Sequence, residues 1–489
     1  MATDFSEEDA DVETPKELTA KKDDFSRWFS QILLLAGIID KRYDAKGCNV
    51  WLNYGYEMML NIKRYWDIIF RESGIKEMYF PLLVPVKYCE KNPSWWDGFK
   101  SQAYLVRGSV EKSTEYMLRP TGEPAMYHMF SLWIRSKKDL PFRIYETVSS
   151  FRYETRHTRP LIRDREITVW HEIHTAHATK EEAEEEAEAH VKLYDMIWKK
   201  CCLAPLRVNK PRWEVFPGAV GAIEYYNIMP SGRVMENGSI NKLGQAYSEK
   251  FDIKFKDSDG AEKCVWQVCT GNGARLLAAV IAVHGDNKGI VVPPEIAPIQ
   301  AVVIPIYTEK TKKQVLKKSK EILEKMKTAG IRAEIDMDDE KTPGSKFYEW
   351  EIKGVPLRIE IGPRDVKEKA LSAVKRNDGK KLKIKESVLP KEISKILAEV
   401  QKSLLKKSGS GLKDAIKPAK SKDEIKALVE NKKVAQVFWC GGGECWDEIK
   451  KIEDGIELFG TALESPKQAG RCAVCGKATK TVGYAARTY

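Results

Sequence analysis

No stretch of this 489-residue chain approaches the roughly 18 consecutive apolar residues that a membrane-spanning helix requires. The amino terminus, MATDFSEEDADVETPKEL, is acidic and lacks an apolar core, which excludes a secretory signal peptide. Ten cysteines are too sparse for a disulfide scaffold. Charge of either sign is not in large excess. The 82 Lys and Arg against 71 Asp and Glu leave +11, which is compatible with a nucleic-acid partner without establishing one. No internal repeat is visible. These absences leave a soluble chain long enough for two to four domains, expected in the cytoplasm and not at a membrane. Residues 1–24 are expected to form a disordered acidic tail.

The chain reads in segments. Apolar residues at helical spacing (Met58, Met59, Ile62, Tyr65, Trp66, Ile69) predict a helix over 50–73. MYFPLLVP, residues 78–85, reads as a strand interrupted by Pro81. PFRIYETVSSFRYE (141–154) and REITVWHEIHTAHA (165–178) both alternate, and together predict an antiparallel pair. Thr179 is the expected N-cap of a helix that begins with acids and ends on lysines. CVWQVCTGNGARLLAAVIAVHGD (264–286) reads as strand, glycine turn and apolar helix. After the proline-rich VVPPEIAP, a βαβ rhythm predicts an α/β domain with a mainly parallel sheet. The expected boundaries are 25–298, 299–407, a linker over 408–422, and a small domain over 423–489.

Two clusters carry chemistry. FRYETRHTRPLIRDREI, between the two alternating segments, holds Arg152, Arg156, Arg159, Arg163 and Arg165. Period-two alternation would put Arg152 and Glu154 on one face. Arg152 and Arg163 then suit phosphate oxygens, and Glu154 suits an amino group. A solvated, salt-bridged hairpin is the other reading of these charges. The second cluster is Cys440 and Cys445, then a gap of 26 residues, then Cys472 and Cys475. That spacing predicts a tetrahedral thiolate Zn²⁺ site with no open position, hence a structural one.

The Arg-x-Glu strand, its loop with a second arginine, and the later Gly-x-Gly-x-Arg before an apolar helix resemble motifs 2 and 3 of class II aminoacyl-tRNA synthetases. LRPTGEPAMY, FRYETRHTRPLIRDREI, the Trp170–His177 pattern W-x-E-x-H-T-A-H and KGVPLRIEIGPRD resemble the archaeal and eukaryotic prolyl-tRNA synthetases, from about residue 25 to Tyr489. The resemblance implies an α+β fold: an antiparallel catalytic sheet with helices, an α/β anticodon-binding domain, and a small C-terminal zinc-type α/β domain. It implies ATP, Mg²⁺, tRNA, proline or a related amino acid, and a homodimer. It assigns Arg152 to the α-phosphate, Glu154 to the adenine amino group, and Arg163 and Arg275 to the outer phosphates or the base. Glu236 and Ser239 join the ATP site. Thr121, Glu123, Trp170, Glu172, His174, Thr270 and Gly271 are implied to line the amino-acid pocket. Glu351, Lys353, Arg358 and Arg364 are implied to meet tRNA, and Tyr489 to reach the catalytic domain.

Several positions depart from the usual pattern: Gly122 in RPTGE, Val220 and Gly221 after PGA, Glu236, Ser239 and Asn241 before LGQ, and Thr270 before Gly271. Two lost aromatics are expected to enlarge the amino-acid pocket, and Glu224, Asn227 and Asn241 to make it more polar. Beside proline, therefore, stand a paralogue activating a larger or more polar amino acid, and a non-catalytic tRNA-binding relative.

Overall fold

The structure, a computed structural model, describes residues 15–109, 115–155 and 157–489. Arg156 and the first fourteen residues lie outside them. The described residues divide into two compact units, one of those up to 61 with 280–407 and one of those in 62–279 with 408–489.

The second unit is built on eleven strands among the described residues. They are β1 (Lys76–Glu77), β2 (Phe142–Phe151), β3 (Glu166–His177), β4 (Leu206–Asn209), β5 (Gly221–Ile228), β6 (Val234–Gly244), β7 (Trp266–Asn272), β8 (Ile416–Ala419), β9 (Val434–Phe438), β10 (Ile456–Ala462) and β11 (Val482–Arg487). Their order across the sheet is β8-β9-β11-β10-β4-β5-β6-β7-β3-β2-β1. The run from β4 to β2 is antiparallel throughout, as the alternating 141–154 and 165–178 segments require. Alternation lets each strand give one face to the site and the other to the core. The core face is covered by helix Lys180–Lys200, whose N-cap is the predicted Thr179. Its hydroxyl accepts from the Glu182 amide at 3.2 Å, and the Glu182 carboxylate accepts from the Thr179 amide at 3.3 Å, a reciprocal cap.

The last domain is not a separate body. Strand β10 pairs with β4 through Thr461↔Asn209 and Ala462↔Val208, so the C-terminal strands extend the catalytic sheet. The linker expected over 408–422 is also overturned. Helix Leu389–Ala415 runs through SGSG, and β8 follows at once. Gly and Ser are weak helix formers, but packing overrides that preference here. Ser408 is buried and its hydroxyl accepts from the Ala204 amide at 2.9 Å, while Leu412 and Ile416 pack against Leu206, Val208 and Phe459. Of residues 78–85, only Leu83–Pro85 is a strand, because Pro81 cannot donate to a ladder.

In the first unit a five-stranded sheet has the order Ala333–Ile335, Ala301–Pro305, Leu357–Ile361, Ala370–Lys375, Lys381–Lys385. The first two pairings are parallel and the last two antiparallel, so the sheet is mixed where a mainly parallel one was expected. Residues 15–24, expected in a disordered tail, are instead tied to the folded unit. The Leu18 amide donates to the Tyr348 hydroxyl at 2.9 Å, and the Lys22 ammonium donates to the Gly285 and Val283 carbonyls.

Candidate active site

The strand register builds the site floor. Glu224 stands opposite Ser239, Ser239 opposite Gly271, Gly271 opposite Glu172, and Glu172 opposite Glu146. The next row on the same face is Asn241, Cys269 and His174. Side chains in such rows share one face of the sheet.

A buried charge network occupies one end of this floor. The Arg119 guanidinium, fully buried, pairs with Glu146 and, at 3.2 Å, with Glu172. Glu172 also accepts from the Gly122 amide at 2.9 Å and from His174 Nε2 at 2.9 Å. Burial works against ionising Glu172, but Arg119, His174 and the Gly122 amide outweigh it and hold its pKa at about 2. An ionised Glu172 calls for a proton on Nε2 of His174, and Nδ1 of the same ring lies 2.9 Å from the Tyr127 hydroxyl. A Cβ on Gly122 would stand 2.6 Å from the Glu172 carboxylate, so this departure is bound up with the network.

Beside it, Thr121 donates to Glu123 Oε2 at 2.7 Å, and Cys269 Sγ donates to Glu123 Oε1 at 3.6 Å. Burial raises the Glu123 pKa, with the Glu172 charge adding to it and His174 opposing. Asn241 bridges Ser239, at 3.1 Å, and the Cys269 sulfur, at 3.8 Å.

Next to this buried pocket lies an open cavity with Arg152, Glu154, Arg163, Trp170, Glu236 and Arg275 on its wall. Strand β2 stops at Phe151, so Glu154 is in the loop and not on a strand beside Arg152 as expected. The Arg152 amide still pairs with the Arg165 carbonyl at 2.9 Å. Its guanidinium lies over the Trp170 ring (5.3 Å) and the Phe99 ring (5.5 Å), and its Nε donates to the Pro120 carbonyl at 3.1 Å. Burial, then repulsion from Arg275, lowers its pKa, and a nearby anion would relieve both. The Trp170 ring rests on the glycine turn: a Cβ on Gly271 would stand 2.7 Å from it and one on Gly273 3.0 Å. Arg275 opens the helix Arg275–His284 and is held by the Ile162 carbonyl at 2.7 Å and the Glu236 carbonyl at 3.0 Å.

One expected site residue faces the other way. Thr270 faces away from the pocket, since side chains alternate and Cys269 and Gly271 face inward. Its hydroxyl accepts from the Ile173 amide at 3.2 Å and meets Tyr194 of the covering helix. A small side chain at this position therefore does not enlarge the pocket, contrary to the expectation from the sequence. Ser239 lies on the floor row between Glu224 and Gly271, and its neighbours Gly238 and Gly271 line the cavity. Arg119, Glu146, Tyr127 and Cys269 were not singled out from the sequence. The available signal was a charge inside an alternating apolar strand, at Glu146, and inside LRPTGE, at Arg119.

Glu224 closes the far end of the floor. It is buried, accepts from Tyr226 at 2.6 Å, and has Lys210 at 3.6 Å. Burial and the Glu236 charge raise its pKa to about 8, with Lys210 and Tyr226 only partly opposing. A raised folded-state pKa means that the folded protein holds a proton which the unfolded chain has lost. Stability attributable to this group therefore falls as pH rises from about 4.5 to about 8. Glu224→Gln should flatten that part of the stability–pH curve, measured by thermal melts at pH 5 and pH 8. Parallel curves for variant and parent would refute it.

Tyr489 does reach the catalytic sheet. Its amide donates to the Val234 carbonyl at 3.2 Å, its hydroxyl lies 3.0 Å from Ser231 Oγ, and Arg159 and Arg233 lie over its ring. At the C-terminal end, the sulfurs of Cys440, Cys445, Cys472 and Cys475 lie within 4.8 Å of one another. Burial opposes the Cys472 thiolate, but the amides of Cys475, Val474 and Cys440 point at it and bring its pKa to about 7. That donor set suits a thiophilic ion.

In the first unit, Glu351 pairs with Lys288 at 3.2 Å, Lys353 lies over Trp350, and Arg358 pairs with Glu360 at 3.0 Å over the Phe347 ring. Arg364 is on the short helix Pro363–Glu368.

Comparison with known proteins matches this geometry. Residues 104–284 match the tRNA synthetase class II core domain (G, H, P, S and T), 300–396 an anticodon binding domain, and 422–489 the prolyl-tRNA synthetase C-terminal domain. The chain is 39% identical over 474 residues to a protein from Pyrococcus abyssi named proline--tRNA ligase, covering 96% of this chain and 98% of the relative. This chain belongs to the prolyl-tRNA synthetase family. A proline--tRNA ligase of Methanosarcina mazei is 40% identical over the same shares of both chains. A Giardia lamblia prolyl-tRNA synthetase in complex with prolyl-adenylate superposes with a TM-score of 0.92 at 34% identity, over 96% of this chain and 99% of that one. As a class II synthetase of the prolyl family, the protein is an aminoacyl-tRNA ligase with an antiparallel catalytic core and an anticodon-binding domain. No helix among the described residues is long and apolar enough to cross a membrane.

Proposed function

We propose that this protein attaches proline to its tRNA through a prolyl-adenylate. The observation that carries the reading is the adjacency, on one sheet face, of an arginine-walled cavity and a buried acidic pocket. Full-length likeness to proteins named proline--tRNA ligase supports proline over a larger or more polar amino acid.

The pocket's chemistry suits a secondary ammonium. Glu123 and Glu172 supply carboxylates in a site closed to water, and Thr121 fixes Glu123. The proline carboxylate then attacks the α-phosphorus, and the bond from that phosphorus to pyrophosphate breaks. Arg152, clamped between two rings, stands ready for charge building at the α-phosphate, while Arg163 and Arg275 take the outer phosphates or the base, and Glu154 the adenine amino group. When bound, Mg²⁺ neutralises phosphate charge, and Glu236, half-exposed on the cavity wall, would help to hold it. The tRNA terminal hydroxyl then attacks the prolyl carbonyl and AMP leaves. Lys353 and Arg364 are offered to tRNA, with Glu351 and Arg358 bound up in ion pairs beside them. Four thiolates at Cys440, Cys445, Cys472 and Cys475 would hold a structural Zn²⁺. A homodimer working in the cytoplasm completes the reading.

The test is amino-acid-dependent ATP–pyrophosphate exchange across proline and the other standard amino acids. Exchange with proline is expected to exceed that with every other amino acid. Exchange with another amino acid alone, or with none, would overturn the reading.

A further inference from the structure

Glu123, His174 and Cys269 form a second group able to ligate a metal ion. One ligand atom from each lies within 4.8 Å of the others, and all three side chains are buried. We propose that this trio is a binding site for a thiophilic divalent cation of the Zn²⁺ type, and that the cation competes there with the amino acid.

Three features beyond proximity support it. Carboxylate, imidazole and thiolate are the donors that Zn²⁺ selects, and three protein ligands leave a fourth position open. Glu172 accepts from His174 Nε2, so in the neutral ring the lone pair is on Nδ1, which now lies 2.9 Å from the Tyr127 hydroxyl. A carboxylate behind a histidine is the arrangement that orients metal-ligating imidazoles. On the other two ligands, Thr121 occupies Glu123 Oε2 and leaves Oε1 towards Cys269, and Asn241 donates to the Cys269 sulfur, where it would stabilise a thiolate. Asn241 is also one of the positions at which this chain departs from the usual prolyl pattern.

The Oε1 to sulfur distance is already 3.6 Å, within the roughly 3–4 Å that separates ligand atoms around a tetrahedral ion. Binding releases the Cys269 thiol proton to solvent and displaces the Tyr127 hydroxyl from Nδ1. The same Glu123 is offered to the substrate ammonium, so ion and amino acid exclude each other. That competition rests on the aminoacylation reading; metal binding itself does not.

The experiment is a Co²⁺ titration of the full-length protein carrying a single equivalent of Zn²⁺, held by the four cysteines. One further equivalent should bind and produce a thiolate-to-Co²⁺ charge-transfer band. The equivalent should bind at least about tenfold more weakly in Cys269→Ser and in His174→Gln, and unchanged in Cys264→Ser, whose sulfur lies outside the trio. Saturating proline should abolish the band. No band, or a band unchanged in folded Cys269→Ser and His174→Gln, overturns the site. If both variants fail to fold, displacement by proline decides. If proline supports exchange yet leaves the band intact, the inference falls. If proline supports no exchange, the aminoacylation reading falls while the variants still decide the site.

Discussion

Arg152→Ala is expected to lower adenylate formation by about 10²–10³-fold while leaving the melting temperature within a few degrees of the parent. The magnitude follows from position. The Arg152 guanidinium lies over the Phe99 and Trp170 rings and is tied at Nε to the Pro120 carbonyl, which leaves its outer nitrogens to face the cavity. A cation already fixed in place pays no reorganisation cost as charge builds on phosphorus. Its destabilisation by burial and by Arg275 is relieved when a phosphate arrives. Fold stability should not depend on it, because among the described residues it forms no ion pair within 4.0 Å with a buried carboxylate; Arg119, between Glu146 and Glu172, has two. Arg152→Lys should not restore the rate. An ammonium keeps the charge but neither spans the two rings nor offers a fork of donors. Single-turnover adenylate formation with the parent, Ala and Lys proteins measures this. A rate within about threefold of the parent in Arg152→Ala would remove the phosphate assignment.

The motifs made the chemistry legible, whereas the register decided which residues share the site. Arg152, Glu154, Arg163 and Arg275 were readable because arginines and a glycine turn punctuate alternating strands, and they do converge on one cavity. Thr270 was misplaced because neighbours on a strand face opposite ways, and the sequence does not say which of Cys269 and Thr270 points inward. That parity is fixed only by pairing with β3 and β6. SGSG reads as a linker by local preference, yet Ser408 and Leu412 are packed, and tertiary burial outweighs about 0.5–1 kcal/mol per residue. The joining of β10 to β4 was invisible, because nothing local marks a strand as the continuation of a sheet begun some 250 residues earlier.

That continuation sets the size of the last expected effect. Removing the metal from the cysteine cluster, by chelation or by Cys472→Ser, should release the ion and unfold the C-terminal strands. A tetrathiolate Zn²⁺ site contributes on the order of 10 kcal/mol to a small module. Cys445 and Cys472 are themselves part of its core, with Trp439, Trp446, Ile449 and Leu458. Without the ion four thiols stand together, and burial pushes the Cys445 pKa strongly upwards. Loss should spread inward, since β11 lies between β9 and β10, and the chain leads from it straight to Tyr489 beside Val234 and Arg159. Activity should then fall although no residue of the ATP cavity has changed. Trp439 and Trp446 flank Cys440 and Cys445 in sequence, so their fluorescence should shift with metal release, ahead of the global melt. Metal analysis, tryptophan emission and melting curves of parent and Cys472→Ser read these steps separately. An unchanged metal content rejects the site. Metal lost with an unchanged melt rejects its structural role, and a melt that drops while exchange activity stays whole breaks the proposed link through Tyr489 to the arginine loop.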